Sequence, residues 1–93
     1  MLYKCEEWQS GSGLWHCGCM ENLAGGSNEW YLPARILGLS PAAFVQYMIK
    51  EFNPLVTANK EKGLVFFSWQ KQADMRKYKN FINKKARECN FQI

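Results

Sequence analysis

Three of the four cysteines, Cys5, Cys17 and Cys19, and the one histidine, His16, fall between Cys5 and Cys19. Zinc takes four ligands, usually thiolates with or without imidazole. Cys17-Gly18-Cys19 offers two thiols around a glycine whose backbone freedom lets both turn toward one ion. Cys5 is placed to join them from the opposite strand of a hairpin. The fourth ligand is either His16 or Cys89. Neighbours on an extended strand face opposite ways, so His16 joins Cys17 only if the backbone turns there. Cys89 falls on the apolar stripe of the last helix and would tie the two ends of the chain together. Two alternatives stand beside Zn2+. One is plain core thiols, because a free cysteine packs as a small hydrophobe. The other is disulfides. Met1-Leu2-Tyr3-Lys4 leads straight into charged residues without a secretory signal pattern, which argues against disulfides and for an intracellular protein of a host cytoplasm.

A chain of 93 residues makes one domain, 1–93, in which 1–22 forms the metal-binding hairpin and 33–93 a helix-sheet-helix core. So short a chain buries only about 60–65% of its unfolded surface, so a metal staple would add to a small core. An apolar content of 47% argues for a packed interior and against disorder. No apolar run approaches the roughly 20 residues of a membrane span.

Leu2–Trp8 reads as a strand, Gln9–Gly13 as a turn and Leu14–Met20 as a returning strand or metal loop. Pro33–Leu37 reads as a short helix stopped at Gly38. Ser40-Pro41 restarts a helix that runs to about Phe52, with serine as cap and proline in the first turn. Leu55–Asn59 and Leu64–Trp69 read as a second hairpin, and the wholly apolar start of the latter places it centrally in a sheet. From about Lys71 to Cys89, Met75, Tyr78, Ile82, Ala86 and Cys89 recur at helical spacing. The order is β-β-α-β-β-α, an α+β fold with a small antiparallel sheet and two main helices.

Charge is uneven. Net charge is +4, yet residues 70–93 carry seven basic side chains against two acidic ones. Arg76, Lys77, Lys84 and Arg87 are the partner-binding residues this suggests, with Trp15 and Trp30 as aromatic anchors. A basic helix of this kind attracts nucleic acid or an acidic protein surface. A second nucleic-acid pattern is Ala34, Gly38, Leu39, Ser40, Phe44 and Tyr47, which resembles a helix-turn-helix over residues 30–49. Its base-facing positions, Pro41, Ala42, Ala43, Val45 and Gln46, hold one side chain suited to reading bases. Catalysis is not expected. Thiolate-rich zinc sites are usually closed, the deaminase signature is absent, and one histidine beside one cysteine is a thin toolkit. Nothing points to a small-molecule substrate.

The compact, aromatic-rich chain, with its Cys5, His16, Cys17, Cys19 cluster, resembles small accessory proteins of bacteriophages and mobile elements, in particular the anti-CRISPR inhibitors of type II effector nucleases. The resemblance implies a protein partner, a Cas effector nuclease, whose nucleic-acid loading the chain obstructs without doing chemistry. The chain is basic, so DNA mimicry by acidic surface is not the mode implied.

Overall fold

The computed structural model describes residues 2–18, 31–59 and 64–92. The described elements are strands β1 (Glu6–Gln9) and β2 (Trp15–Gly18), helices α1 (Tyr31–Leu37) and α2 (Pro41–Phe52), strands β3 (Leu55–Asn59) and β4 (Leu64–Ser68), and helix α3 (Gln72–Glu88). The expected α+β class and element order are found, with a third, short helix in α1.

The local chemistry explains most boundaries. Ser10 and Leu14 close the first hairpin through Ser10 N–H to Leu14 C=O at 2.9 Å, and Gly13 supplies the left-handed residue of its three-residue loop at φ 87. Gly38 ends α1 at φ 68. Its N–H donates to Arg35 C=O at 3.1 Å, and Leu39 N–H to Ala34 C=O at 2.9 Å, a Schellman stop. Ser40 then caps α2, its Oγ accepting from Ala43 N–H at 3.3 Å, with Pro41 in the first turn. Asn90, left-handed at φ 50, ends α3 the same way: its N–H donates to Arg87 C=O at 3.2 Å and Phe91 N–H to Ala86 C=O at 2.9 Å.

The expected single sheet is two antiparallel pairs, β1–β2 and β3–β4, joined at one point. There Trp15 and Trp69 exchange both backbone hydrogen bonds, at 2.7 and 2.8 Å. β4 is central in this sense, with β3 on one side and β2 touching the other. Trp69 adds a further tie, its indole N–H donating to Phe52 C=O at the end of α2 at 2.9 Å. The N-terminal strand starts at Glu6, not Leu2. Leu2 and Tyr3 instead lie against the chain's end, with Tyr3 N–H donating to Phe91 C=O at 3.0 Å.

The core follows the expected apolar stripe of α3. Met75, Tyr78, Ile82 and Ala86 are buried against Phe44 and Met48 of α2, Phe67 of β4 and Cys5 and Cys17 of the hairpin. Phe44 and Phe67 meet edge-on at 5.7 Å, and Trp69 stacks on Tyr78 at 5.5 Å.

Cys5 lies just before β1, where its backbone has no strand neighbour among the described residues. The side chain of Asn83, on α3, serves instead. Its Oδ1 accepts from Cys5 N–H at 2.7 Å and its Nδ2 donates to Cys5 C=O at 3.1 Å. Asn83→Ala removes both partners of a buried residue. At roughly 1–3 kcal/mol for each orphaned group, the expected loss is about 2–6 kcal/mol in urea unfolding, and a loss under about 0.5 kcal/mol would mean that water replaces the amide freely.

Candidate functional site: the polar faces of helix α3

Successive residues of an α-helix step by 3.6 per turn, so the side chains of α3 sort into four stripes. One is the buried stripe just described. On one flank of it, Gln72, Arg76, Lys79 and Asn83 face the first hairpin. There Glu7 takes Arg76 in a two-pronged pair, Nε to Oε2 at 3.0 Å and Nη2 to Oε1 at 2.9 Å. Lys79 Nζ reaches Oε2 at 3.0 Å, and Gln72 Nε2 donates to Oε1 at 3.4 Å. On the other flank, Phe81 packs on Phe52 at 5.3 Å and Tyr47 at 6.1 Å. Lys85 lies over its ring at 5.8 Å and pairs with Glu88 at 3.7 Å.

The fourth stripe, opposite the core, carries Ala73, Lys77, Asn80, Lys84 and Arg87, all exposed. Lys77, Lys84 and Arg87 make no ion pair among the described residues. Of the six basic residues of α3, three are therefore engaged by carboxylates and three present a net positive strip to solvent.

The residues expected to bind a partner stand in different settings. Arg76 is held by Glu7 and belongs to the fold, although its side chain remains half-exposed. Trp15 is half-buried, packed against the core and tied by its backbone to Trp69. Trp30 lies outside the described residues. Lys77, Lys84 and Arg87 are exposed on the outer stripe. Sequence periodicity missed the split between Arg76 and the other three because nothing in the helix itself marks which flank Glu7 approaches.

The metal residues divide as well. Glu7 pairs with Cys17 and Trp8 with His16 across the first hairpin, and alternate residues of a strand share a face. Cys17, like Cys5, is buried on the core side, whereas His16 lies on the opposite face and stacks on Trp8 at 5.2 Å. Burial holds the His16 imidazole below its ordinary pKa, outweighing a backbone hydrogen bond at Phe67 that raises it. His16 is thus turned away from Cys17 and is not placed to be its fourth ligand. Cys89, expected on the buried stripe, is exposed. It is the residue that ends α3, and its Sγ donates to Ala86 C=O at 3.7 Å. Cys19 lies outside the described residues. Among the described residues no three of His, Cys, Asp and Glu come together as a metal-binding group.

In the stretch compared with a helix-turn-helix, α1 and α2 are joined at the Gly38 turn. Of the positions that would face bases, Val45 is half-buried and packs on the core, which leaves Pro41, Ala42, Ala43 and Gln46 exposed. Gln46 is the one of these able to read a base edge. No described helix is long and apolar enough to cross a membrane.

The hydrogen bonds from Arg76 and then Lys79 lower the Glu7 pKa from 4.5 to about 2. The folded value lies below the unfolded one, so this carboxylate stabilises the fold fully above pH 4.5, and its contribution is lost as pH falls from 4.5 toward 2. Glu7→Gln is expected to flatten the acid limb of thermal stability against pH over that window. An acid limb identical to that of the parent protein would show the clamp to be energetically silent.

Comparison with protein families, with curated proteins and with solved structures found no match to this chain.

Proposed function

We propose that this chain is a non-catalytic binding protein that docks an acidic macromolecular surface through the solvent-facing stripe of α3. The observation that carries this is the sorting of cations on that helix. Arg76, Lys79 and Lys85 are engaged by Glu7 and Glu88, while Lys77, Lys84 and Arg87 are exposed and have no partner carboxylate among the described residues. A strip of like charge held on a rigid helix attracts an acidic partner and repels a basic one. The placement of His16 against Trp8, away from Cys17, supports a role without nucleophilic chemistry.

Heparin-affinity chromatography tests the strip. The variant Lys77→Gln, Lys84→Gln, Arg87→Gln is expected to elute at clearly lower salt than the parent protein. A variant of equal net charge, Lys4→Gln, Lys50→Gln, Lys71→Gln, alters exposed lysines elsewhere and is expected to elute close to the parent. Equal shifts for the two variants would mean that retention follows overall charge, and the strip would lose its assignment.

A protein partner of the kind the anti-CRISPR resemblance implies, a type II effector nuclease, is the second reading. It is favoured by β3, whose outer edge pairs with no described strand and on which Leu55 and Val56 are each exposed. Unchanged cleavage by such nucleases in the presence of excess protein would remove it.

A structural zinc ion held by Cys5, Cys17 and Cys19 belongs to the same proposal, supported by Cys5 and Cys17 lying on one side of the hairpin. Elemental mass spectrometry on protein purified without an affinity tag is expected to find about one zinc per chain, the stoichiometry of a closed thiolate site. Metal-free, folded protein would leave Cys5 and Cys17 as core thiols.

A further inference from the structure

We infer that the partner of the α3 stripe is the phosphate backbone of a nucleic-acid duplex, contacted without reading its sequence; this rests on the reading of that stripe as a docking surface. At a rise of 1.5 Å per residue, Lys77 and Lys84 are about 10 Å apart along the helix and Lys84 and Arg87 about 4.5 Å. The three cations therefore line about 15 Å of one helix face. A duplex presents one phosphate charge per about 1.7 Å of its axis. A strip of this length always finds phosphates opposite its cations, whatever the base sequence.

The other side chains of the stripe favour the backbone over the bases. Ala73 is short and lets the helix approach closely, and Asn80 is the stripe's one amide able to pair with a base edge. Lysine meets phosphate as a point charge, whereas Arg87 can fork to two phosphate oxygens. The neighbouring Glu88, which would repel phosphate, is partnered by Lys85 at 3.7 Å.

The ring content of the same face favours a duplex over a single strand. Single-strand binding proteins stack bases on exposed aromatic rings beside a basic groove. Among the described residues the ring beside the stripe on the same helix, Phe81, is half-buried between Tyr47 and Phe52, with Lys85 over it. The stripe thus offers charge without a stacking platform. An acidic protein surface would meet the same charge. A tight protein interface, however, also requires a desolvated aromatic or apolar anchor at its centre, and the other residues of this stripe are Ala73 and Asn80.

The test is fluorescence anisotropy with a labelled mixed-sequence DNA duplex of about 20 base pairs, titrated at several salt concentrations. Three phosphate contacts predict a slope of log K against log salt of about −2.7, or about a 40-fold loss of affinity between about 50 and about 200 mM salt. Lys84→Gln is expected to reduce the slope to about −1.8. The variant Lys77→Gln, Lys84→Gln, Arg87→Gln should abolish binding while keeping the parent's circular dichroism spectrum and melting temperature. Two duplexes of unrelated sequence should bind alike, and single strands more weakly.

A strong preference between the duplexes, or tighter binding of single strands, would overturn the inference, as would equal loss of binding in the Lys4, Lys50, Lys71 variant. If the duplex does not bind at low salt but poly-glutamate binds through Lys77, Lys84 and Arg87, the partner is an acidic protein: the duplex is wrong and the docking surface stands. If neither probe binds at low salt, both the duplex and the docking surface fall.

Discussion

The structure hangs on the contact between one side-chain amide and one stretch of backbone. Cys5 is buried, and a buried peptide group without a hydrogen-bond partner costs about as much as a lost hydrogen bond. Among the described residues β1 pairs with β2 from Glu6 onward, and none of them is the strand partner of Cys5. Asn83 presents a carbonyl and an amino group in the arrangement a neighbouring strand would offer, at 2.7 and 3.1 Å. Helix α3 thereby acts as the missing neighbour of the N-terminal segment. Glu7, two residues on, reaches the same flank of the helix and takes Arg76 and Lys79. Together these contacts fix the hairpin against α3 by geometry and charge as well as by apolar packing.

That attachment decides the electrostatics of the surface. α3 carries six cations, and the hairpin covers two of them, Arg76 and Lys79. Exposed ion pairs are worth little for stability, but a carboxylate that engages two cations changes which face of a helix is positive. The residual strip of Lys77, Lys84 and Arg87 exists because Glu7 lies on one flank and Lys85 turns to Glu88 and Phe81 on the other. Fold and binding surface are in this sense one construction: the contacts that hold the hairpin also leave the outward cations as the helix's free charge.

The tryptophans and cysteines illustrate the reverse assignment, from apparent function to structure. Trp15 and Trp69 carry a two-way backbone link between the two hairpins, and Trp69 also secures the end of α2. Trp8 is covered by His16. In so small a domain the large rings are needed to fill the interior and cover seams, which leaves little aromatic surface for a partner among the described residues. Cys5 and Cys17 share that interior with Tyr3, Met75 and Ile82.

What the sequence determined by itself was local. Gly38 with Ser40-Pro41 marked the break between α1 and α2, and the three- and four-residue spacing of Met75, Tyr78, Ile82 and Ala86 marked the buried side of α3, because caps and helical periodicity act within a few residues. The basic character of the last segment was equally plain. Tertiary structure decided the rest. Two strand pairs are bridged at Trp15 and Trp69, since pairing between distant strands depends on packing and not on composition. His16 and Cys17 part to opposite faces because residue 16 lies in an extended strand. Cys89 falls at the helix end, where Asn90 turns the chain away, so its periodicity with Ala86 no longer places it inside. Arg76 differs from Lys77, Lys84 and Arg87 because Glu7, sixty-nine residues away in the chain, folds against its side of the helix.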